Sequence, residues 1–560
     1  MALLYVVLIL GLLIGGTVPC IADSIQENGT CIYVSPDGDD NNNGSFEKPF
    51  RTIEKAKNYV RTIRNKTDSH ITVFLRGGVY ELTTPIEFDG NDAGNAMVYY
   101  RAYNGEIPIL SGGRKISGWE QYDGNIFRTY IGNDVDMLQL YMDDEAKTLA
   151  RWPNKDEADY GRIRLPHDTE NMTPNCISVE KGTFDYVKDF SGMRAVFHNT
   201  WRTYILGITG KTVGPNYDEL AIVNSHSRAF YDGQHYGAAD REIYFENVYE
   251  FMDTEGEWYK GKDGYLYYYA KDGETVESMN KKDAYIPMLE NLIRFSGGET
   301  SMTQNIVFDG IAFKHTKWTW TIDNALITQQ ANLFYAPNPD NDATYRAGGK
   351  KIRTPGAIEG SGIKNITIKN CCFNQLGGSA VYLEKFVNTV NIEGNKIYEI
   401  AGGGVEIGDD YYKAPNSWFP QNCRIANNYI TKVCQQWYAG CGITALYSAN
   451  TVIEHNYIKD TPYTGISANW GWDTVKPEMN HDWSIKNNRL ENCMYYMSDG
   501  GYIYVPNPAT SGINIVEGNY IKGSKTQISP SLNIVGLYHD AAPMGWIDKN
   551  NVVEGLQLVL

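Results

Sequence analysis

One phrase returns through the second half of the chain: an aliphatic residue, two variable residues, an asparagine, and another aliphatic two places on. It spans Ile392 to Ile397 around Asn395, Ile425 to Ile430 around Asn428, Ile453 to Ile458 around Asn456, Ile485 to Leu490 around Asn488 and Val516 to Ile521 around Asn519, and it returns at Asn551. Degenerate copies carry Cys371 and Ile311 in the asparagine's place. Successive asparagines lie 33, 28, 32, 31 and 32 residues apart. That period, with strand-like alternation inside each copy, predicts an all-β fold, a right-handed parallel β-helix whose coils stack about 4.8 Å apart. Stacked aliphatics then fill the core. Asparagine suits the turn because it tolerates left-handed backbone angles and can bond to its counterparts above and below, so the ladder reads as structural.

A chain of 560 residues has room for more than one domain, although a solenoid grows without dividing. Its net charge of −17, with no basic cluster, argues against a nucleic-acid or anionic-membrane partner and suits a neutral or weakly charged substrate. The 41 tyrosines and 12 tryptophans fit either sugar stacking or half-buried strands. Residues 1–22 read as a signal peptide, with an apolar run from Leu3 to Gly16 and a cut after Ala22; the missing basic n-region leaves a membrane anchor as the alternative. A secreted, extracellular protein is therefore expected, with no membrane insertion after cleavage. Sequons at Asn28, Asn43, Asn65, Asn171 and Asn365 permit N-glycosylation if the source is eukaryotic. Of the nine cysteines only Cys20 lies in the leader; the others read as buried thiols, and none has the spacing with histidine that zinc needs. No metal or cofactor is expected.

Residues 23–109 read as an N-terminal cap and the first coils. Ile53, Ala56, Val60 and Ile63 share one face of a short helix that would plug the open end of the solenoid. The acidic run Asp37 to Gly44 lacks the glycine and terminal glutamate of a calcium loop and reads as a turn. From 110 to 296 the phrase vanishes and hairpin signals such as Lys262-Asp263-Gly264 replace it, which predicts an inserted antiparallel β domain. The coil resumes over 297–560. It stops at Leu560 without a recognisable cap, so either a coil end is exposed or the chain continues beyond the sequence given.

A second, glycine-led strand in each coil marks the face where ligands would bind: Gly378, Gly404, Gly442, Gly465, Gly501 and Gly536 begin it. Around these strands gather the carboxylates Glu384, Glu406, Asp409, Asp410, Asp473, Asp499 and Asp540, and the aromatics Trp418, Tyr447, Trp470 and Trp472. Paired carboxylates are what glycosidic hydrolysis requires, one as acid and one as nucleophile or base, and rungs about 4.8 Å or 9.6 Å apart suit the retaining and inverting separations respectively.

The segments Tyr33-Val-Ser-Pro-Asp-Gly-Asp-Asp, Pro49-Phe-Arg-Thr-Ile, Arg151-Trp-Pro-Asn, Glu257-Trp-Tyr, Phe313-Lys-His-Thr-Lys-Trp and Ser498-Asp-Gly-Gly-Tyr-Ile-Tyr resemble the β-helix glycoside hydrolases of family 141. The resemblance covers nearly the whole mature chain. It implies an enzyme of the α-L-fucosidase or xylanase type acting on plant cell-wall or other complex polysaccharide, with Asp499 and Asp540 as the catalytic pair. Glu406 and Asp409 stand in reserve, and Trp470, Trp472, Glu406, Asp409 and Tyr447 are expected to bind substrate. Aligned on Gly501 and Gly536, Asp499 precedes its strand and Asp540 follows the next, so only a kink or loop would bring them together. Two other readings compete. A polysaccharide lyase or epimerase shares the fold but needs basic groups to meet a uronate, and these strands carry acids. A non-catalytic glycan-binding solenoid would use the aromatics and leave the acids to solvent.

Overall fold

The computed structural model describes residues 29–154, 176–199, 201–223, 242–335, 351–411, 413–471, 478–523, 534–540 and 544–556. The fold is a right-handed parallel β-helix with an antiparallel β region attached. Three parallel sheets of 11, 10 and 9 strands form its walls. A representative coil runs Gln421–Ala426 in the first sheet, Tyr429–Thr431 in the second and Ile443–Leu446 in the third. The next coil, Val452–Glu454, Tyr457–Thr461 and Ile466–Trp470, pairs with it strand for strand.

The aliphatics of the phrase stack in register. Ile368, Ile392, Ile425, Ile453, Ile485 and Val516 form one buried column, and Phe313, Phe373, Ile397, Ile430, Ile458, Leu490 and Ile521 form another. The asparagines form a continuous ladder at the corner between the first and second sheets. Asn456 donates through Nδ2 to Asn488 Oδ1 at 2.9 Å and to the Ile425 carbonyl at 2.9 Å, while its Oδ1 accepts from the backbone and side-chain N–H groups of Asn428 at 3.1 and 3.0 Å. The left-handed residue of each turn is the one before the ladder asparagine. Gly394, Asn427, His455, Asn487, Gly518 and Asn550 have φ of 67°, 56°, 54°, 54°, 66° and 56°. The ladder asparagine is therefore selected for its amide, which satisfies buried backbone groups where the strand ladder breaks.

Helix Ile53–Ile63 closes the N-terminal end, burying Ile53, Ala56 and Val60 against Val34, Val73 and their neighbours. Thr52 caps it, accepting from Lys55 N at 3.1 Å. The acidic run is a turn in the structure: Asp40 accepts from Arg51 N and Thr52 N at 2.9 Å and from Thr52 Oγ1 at 2.8 Å, which fixes the chain's entry into the helix. Among the described residues no helix is long and apolar enough to cross a membrane. The expected signal peptide lies outside the described residues, as do the sequons at Asn28 and Asn171.

The antiparallel region is narrower at its ends than 110–296. Pro108–Ser111 and Ile293–Ser296 still pair with coil strands, in the second and third sheets. Between them the chain builds one antiparallel-rich sheet from Gly113–Ile116 to Ala284–Pro287 and most of another, with the Lys262 hairpin formed by Glu257–Lys260 and Tyr265–Tyr269. The resumed coil is also interrupted. Leu326–Gln330, Leu333–Tyr335 and Lys351–Arg353 leave the corner between the second and third sheets as an arm and extend that second antiparallel sheet, Leu326–Gln330 pairing with Arg202–Val213 and the other two strands following in order. Cys371, Cys423, Cys434, Cys441 and Cys493 are buried free thiols, whereas Cys31, Cys176 and Cys372 are half-buried.

Candidate functional site

The arm lies over the outer face of the third sheet. One outward-facing column runs up that face in register: Glu359, Tyr382, Glu406, Thr444, Ser467, Tyr504 and Tyr538. Of the glycine-led starts, Gly404, Gly442 and Gly465 share a level, whereas Gly501 pairs with Val535 and not with Gly536. The aspartates therefore sit one residue out of the register expected from their glycines.

Two tyrosines bring those aspartates together. Tyr504 and Tyr538, one rung apart with ring centroids at 5.3 Å, reach across each other: the Tyr504 hydroxyl donates to Asp540 Oδ2 at 2.9 Å, and the Tyr538 hydroxyl interacts with the Asp499 carboxyl. Asp499 has φ of 53°, a left-handed geometry that aspartate tolerates, and this turn directs the chain into its strand. Gly500 and Gly501 follow because the neighbouring rings approach closely. A Cβ at Gly500 would meet the Tyr463 ring at 2.8 Å, and one at Gly501 the Cβ of Tyr538 at 2.7 Å. The Asp499 carboxyl is raised above the usual aspartate range, first by burial and then by the charge of Asp540, with the Tyr538 hydroxyl opposing. Tyr463 donates to the Asp499 carbonyl at 3.0 Å and accepts from Gln330 of the arm at 2.8 Å, so the arm is tied to the aspartate turn.

The remaining expected residues divide. Tyr447 is 0% exposed and Trp470 2%, so neither offers an open ring to a sugar in this conformation. Trp470 instead packs with Leu446, Tyr504 and the arm residues Ala331 and Leu333, sealed because the arm covers its rung. Trp472 and Asp473 lie outside the described residues. Glu406 is also fully buried, beneath the arm, and accepts from Ser379 Oγ and from Thr354 Oγ1 at 3.4 Å. Burial pushes its carboxyl up to about 7 despite Arg353 nearby. Asp409 keeps 30% of its side chain exposed and opens into a cavity of about 610 Å³ between the arm and the third sheet. The arm residues Gln330, Asn332 and Arg353 escaped the sequence reading. Tyr504 lay within the Ser498 to Tyr504 motif, but nothing local marked Tyr538 as its partner.

Residues 356–537 match the family of right-handed β-helix regions. Over 144 residues the chain is 28% identical to the uncharacterized protein YwoF of Bacillus subtilis, covering 25% of this chain and 28% of that one. Over 81 residues it is 35% identical to the pectate lyase PEL9 of Emericella nidulans, covering 14% of this chain and 18% of that one. The matches thus span less than a third of either relative. A solved structure of a glycoside hydrolase superposes over 94% of this chain and 96% of its own, with a TM-score of 0.80 and 22% identity, a likeness of fold.

Proposed function

We propose that the chain is a secreted, carbohydrate-active enzyme that hydrolyses glycosidic bonds in a complex polysaccharide, of the kind its resemblance to family 141 implies, with a fucoside or xyloside as substrate. The observation that carries this reading is the crossed pair of tyrosines, which gathers Asp499 and Asp540 into one polar cluster on the ligand-binding face. Asp499, whose carboxyl is raised by burial and by its neighbour's charge, takes the role of the acid that protonates the leaving oxygen. Asp540, oriented by Tyr504, attacks the anomeric carbon or activates water. The glycoside hydrolase of like fold and the pectate lyase of partial likeness both support a saccharide substrate.

The test is turnover on aryl fucosides, aryl xylosides and plant glycans, with polygalacturonate in the same panel. Asp499→Asn and Asp540→Asn should each lower kcat by about 10²-fold or more while circular dichroism stays unchanged, the usual cost of removing a proton-transfer group. Either variant staying within about tenfold of wild type removes that aspartate from the chemistry. Release of an ultraviolet-absorbing unsaturated product from polygalacturonate would replace hydrolysis with β-elimination.

A further inference from the structure

The cavity between the arm and the third sheet is separate from the aspartate pair. Along the outward column, Tyr382 on its wall and Tyr504 beside Asp540 are four rungs apart, roughly 19 Å at the strand spacing. Its volume of about 610 Å³ is that of a small-molecule site. Arg353 lies in its wall with 7% of its side chain exposed. Both terminal nitrogens of this guanidinium are buried and, among the described residues, have no hydrogen-bond partner; Glu406 and Asp409 stand off at 3.8 and 4.0 Å. An arginine fork held this way costs free energy unless an acceptor fills it.

The other walls say which acceptor. Glu290, Glu359, Glu384, Asp409 and Asp410 line the cavity, so carboxylates outnumber the single lining arginine. An anionic ligand would meet this excess of negative charge, whereas hydroxyl groups would donate to it. Trp318, Tyr382 and Tyr411 add apolar ring surface to the same walls. Acceptors for several hydroxyls, one fork for a ring or hydroxyl oxygen, and aromatic faces together describe a neutral sugar.

We propose that this cavity is a distal subsite that binds a neutral sugar residue of an extended oligosaccharide whose reacting bond lies at Asp499 and Asp540. The inference rests on the hydrolase reading for the location of the chemistry, but the binding itself does not. Between the two places the column residues Glu406, Thr444 and Ser467 are buried under the arm, so an oligosaccharide that reaches both passes over the arm and not along the column. A short substrate spans one place only, and a chain of several residues reaches both.

The experiment is calorimetric titration of the full chain carrying Asp499→Asn and Asp540→Asn, with xylobiose, xylohexaose, a fucosylated xyloglucan nonasaccharide and hexagalacturonate. At least one neutral oligosaccharide of six or more residues should bind, and hexagalacturonate should bind more weakly than it. Glu384→Gln should then weaken that binding about tenfold, the loss of one hydrogen bond to a charged group. Tyr411→Ala, at a side chain exposed enough to leave folding intact, should weaken it as well. Equal affinity for hexagalacturonate, affinity unchanged in both cavity variants, or no binding of any neutral oligosaccharide overturns the subsite. Turnover of either aspartate variant within about tenfold of wild type in the panel above, with binding intact, would instead overturn the catalytic assignment alone.

Discussion

At the residue scale the most consequential group outside the aspartate pair is Glu406. Its side chain is fully buried in the outward column, and burial outweighs Arg353, Ser379 and Thr354 in setting its proton affinity, so the carboxyl is pushed up from an ordinary value of 4.5 to about 7. In the unfolded chain the same group ionises near 4.5. Between those two values the folded state holds a proton that the unfolded state has released, so stability falls as pH rises from about 4.5 to about 7 and then levels off. Glu406→Gln keeps the acceptor for Ser379 Oγ and removes the titration. Melting temperatures of wild type and variant at pH 5 and pH 8 should differ in the variant's favour more at pH 8, by up to about 3 kcal/mol in stability. A difference that does not change with pH would mean that Glu406 is ionised throughout beside Arg353. The same burial explains why Glu406 could not be distinguished from Asp409 in the sequence. Both follow a glycine-led strand start, and only the arm, which no local pattern announces, decides that one is covered and the other open.

At the element scale the coil rests on its asparagine ladder as much as on its aliphatic columns. Asn456, at 1% exposure, satisfies Asn428 N and the Ile425 carbonyl, neither of which has water to turn to. Asn456→Ala should therefore destabilise the chain by about 2–4 kcal/mol in urea unfolding, because it strands two buried backbone groups and leaves two amide neighbours short. Asn551, in the last described rung and partly exposed, should cost less than half as much when replaced by alanine, since water can substitute there. Equal costs would show that the ladder contributes through turn conformation and not through its amides. The rungs were legible because each repeats the same local demand: an aliphatic pointing inward, a left-handed residue, an amide. The misassigned part of that demand, the left-handed angle, belongs to the preceding residue, and the variety there (Gly394, Asn427, His455, Asn487) hid it. The arm was illegible for the opposite reason. Leu326–Gln330 and Leu333–Tyr335 are as strand-like as any rung, and what anchors them is the pairing of Leu326–Gln330 with Arg202–Val213, more than a hundred residues earlier. The convergence of Asp499 and Asp540 was hidden too, because it is made by two tyrosine side chains and not by strand register.

At the scale of the whole molecule, the antiparallel region is built into the solenoid and is not an appendage to it. One apolar cluster contains Leu140, Met142 and Trp258 of that region, Leu326 and Phe334 of the arm, and Trp318, Ala401 and Trp437 of the coil turns. Polar contacts cross the same boundary: Gln139 accepts from Trp318 N at 3.1 Å and donates to Gln436 Oε1 at 2.8 Å, and the Tyr141 hydroxyl donates to the Thr316 carbonyl at 2.8 Å. Trp437 is the centre of the joint, 4.7 Å edge-on to Trp318 and anchored by its indole N–H to the Gly377 carbonyl at 2.8 Å. Contacts this apolar couple the unfolding of the two parts, so the arm that covers the third sheet is held from both sides. Hydrogen exchange under native conditions should find the strands Tyr265–Tyr269 and Gln421–Ala426 opening with similar free energies in the wild type. Trp437→Ala removes the shared indole at a cost of about 3–5 kcal/mol and should lower protection in Tyr265–Tyr269 and the arm more than in Gln421–Ala426, whose own columns continue above and below. If the antiparallel strands exchange far faster than the coil already in the wild type, the joint does not couple them, and the arm over the cavity must be held by the third sheet alone.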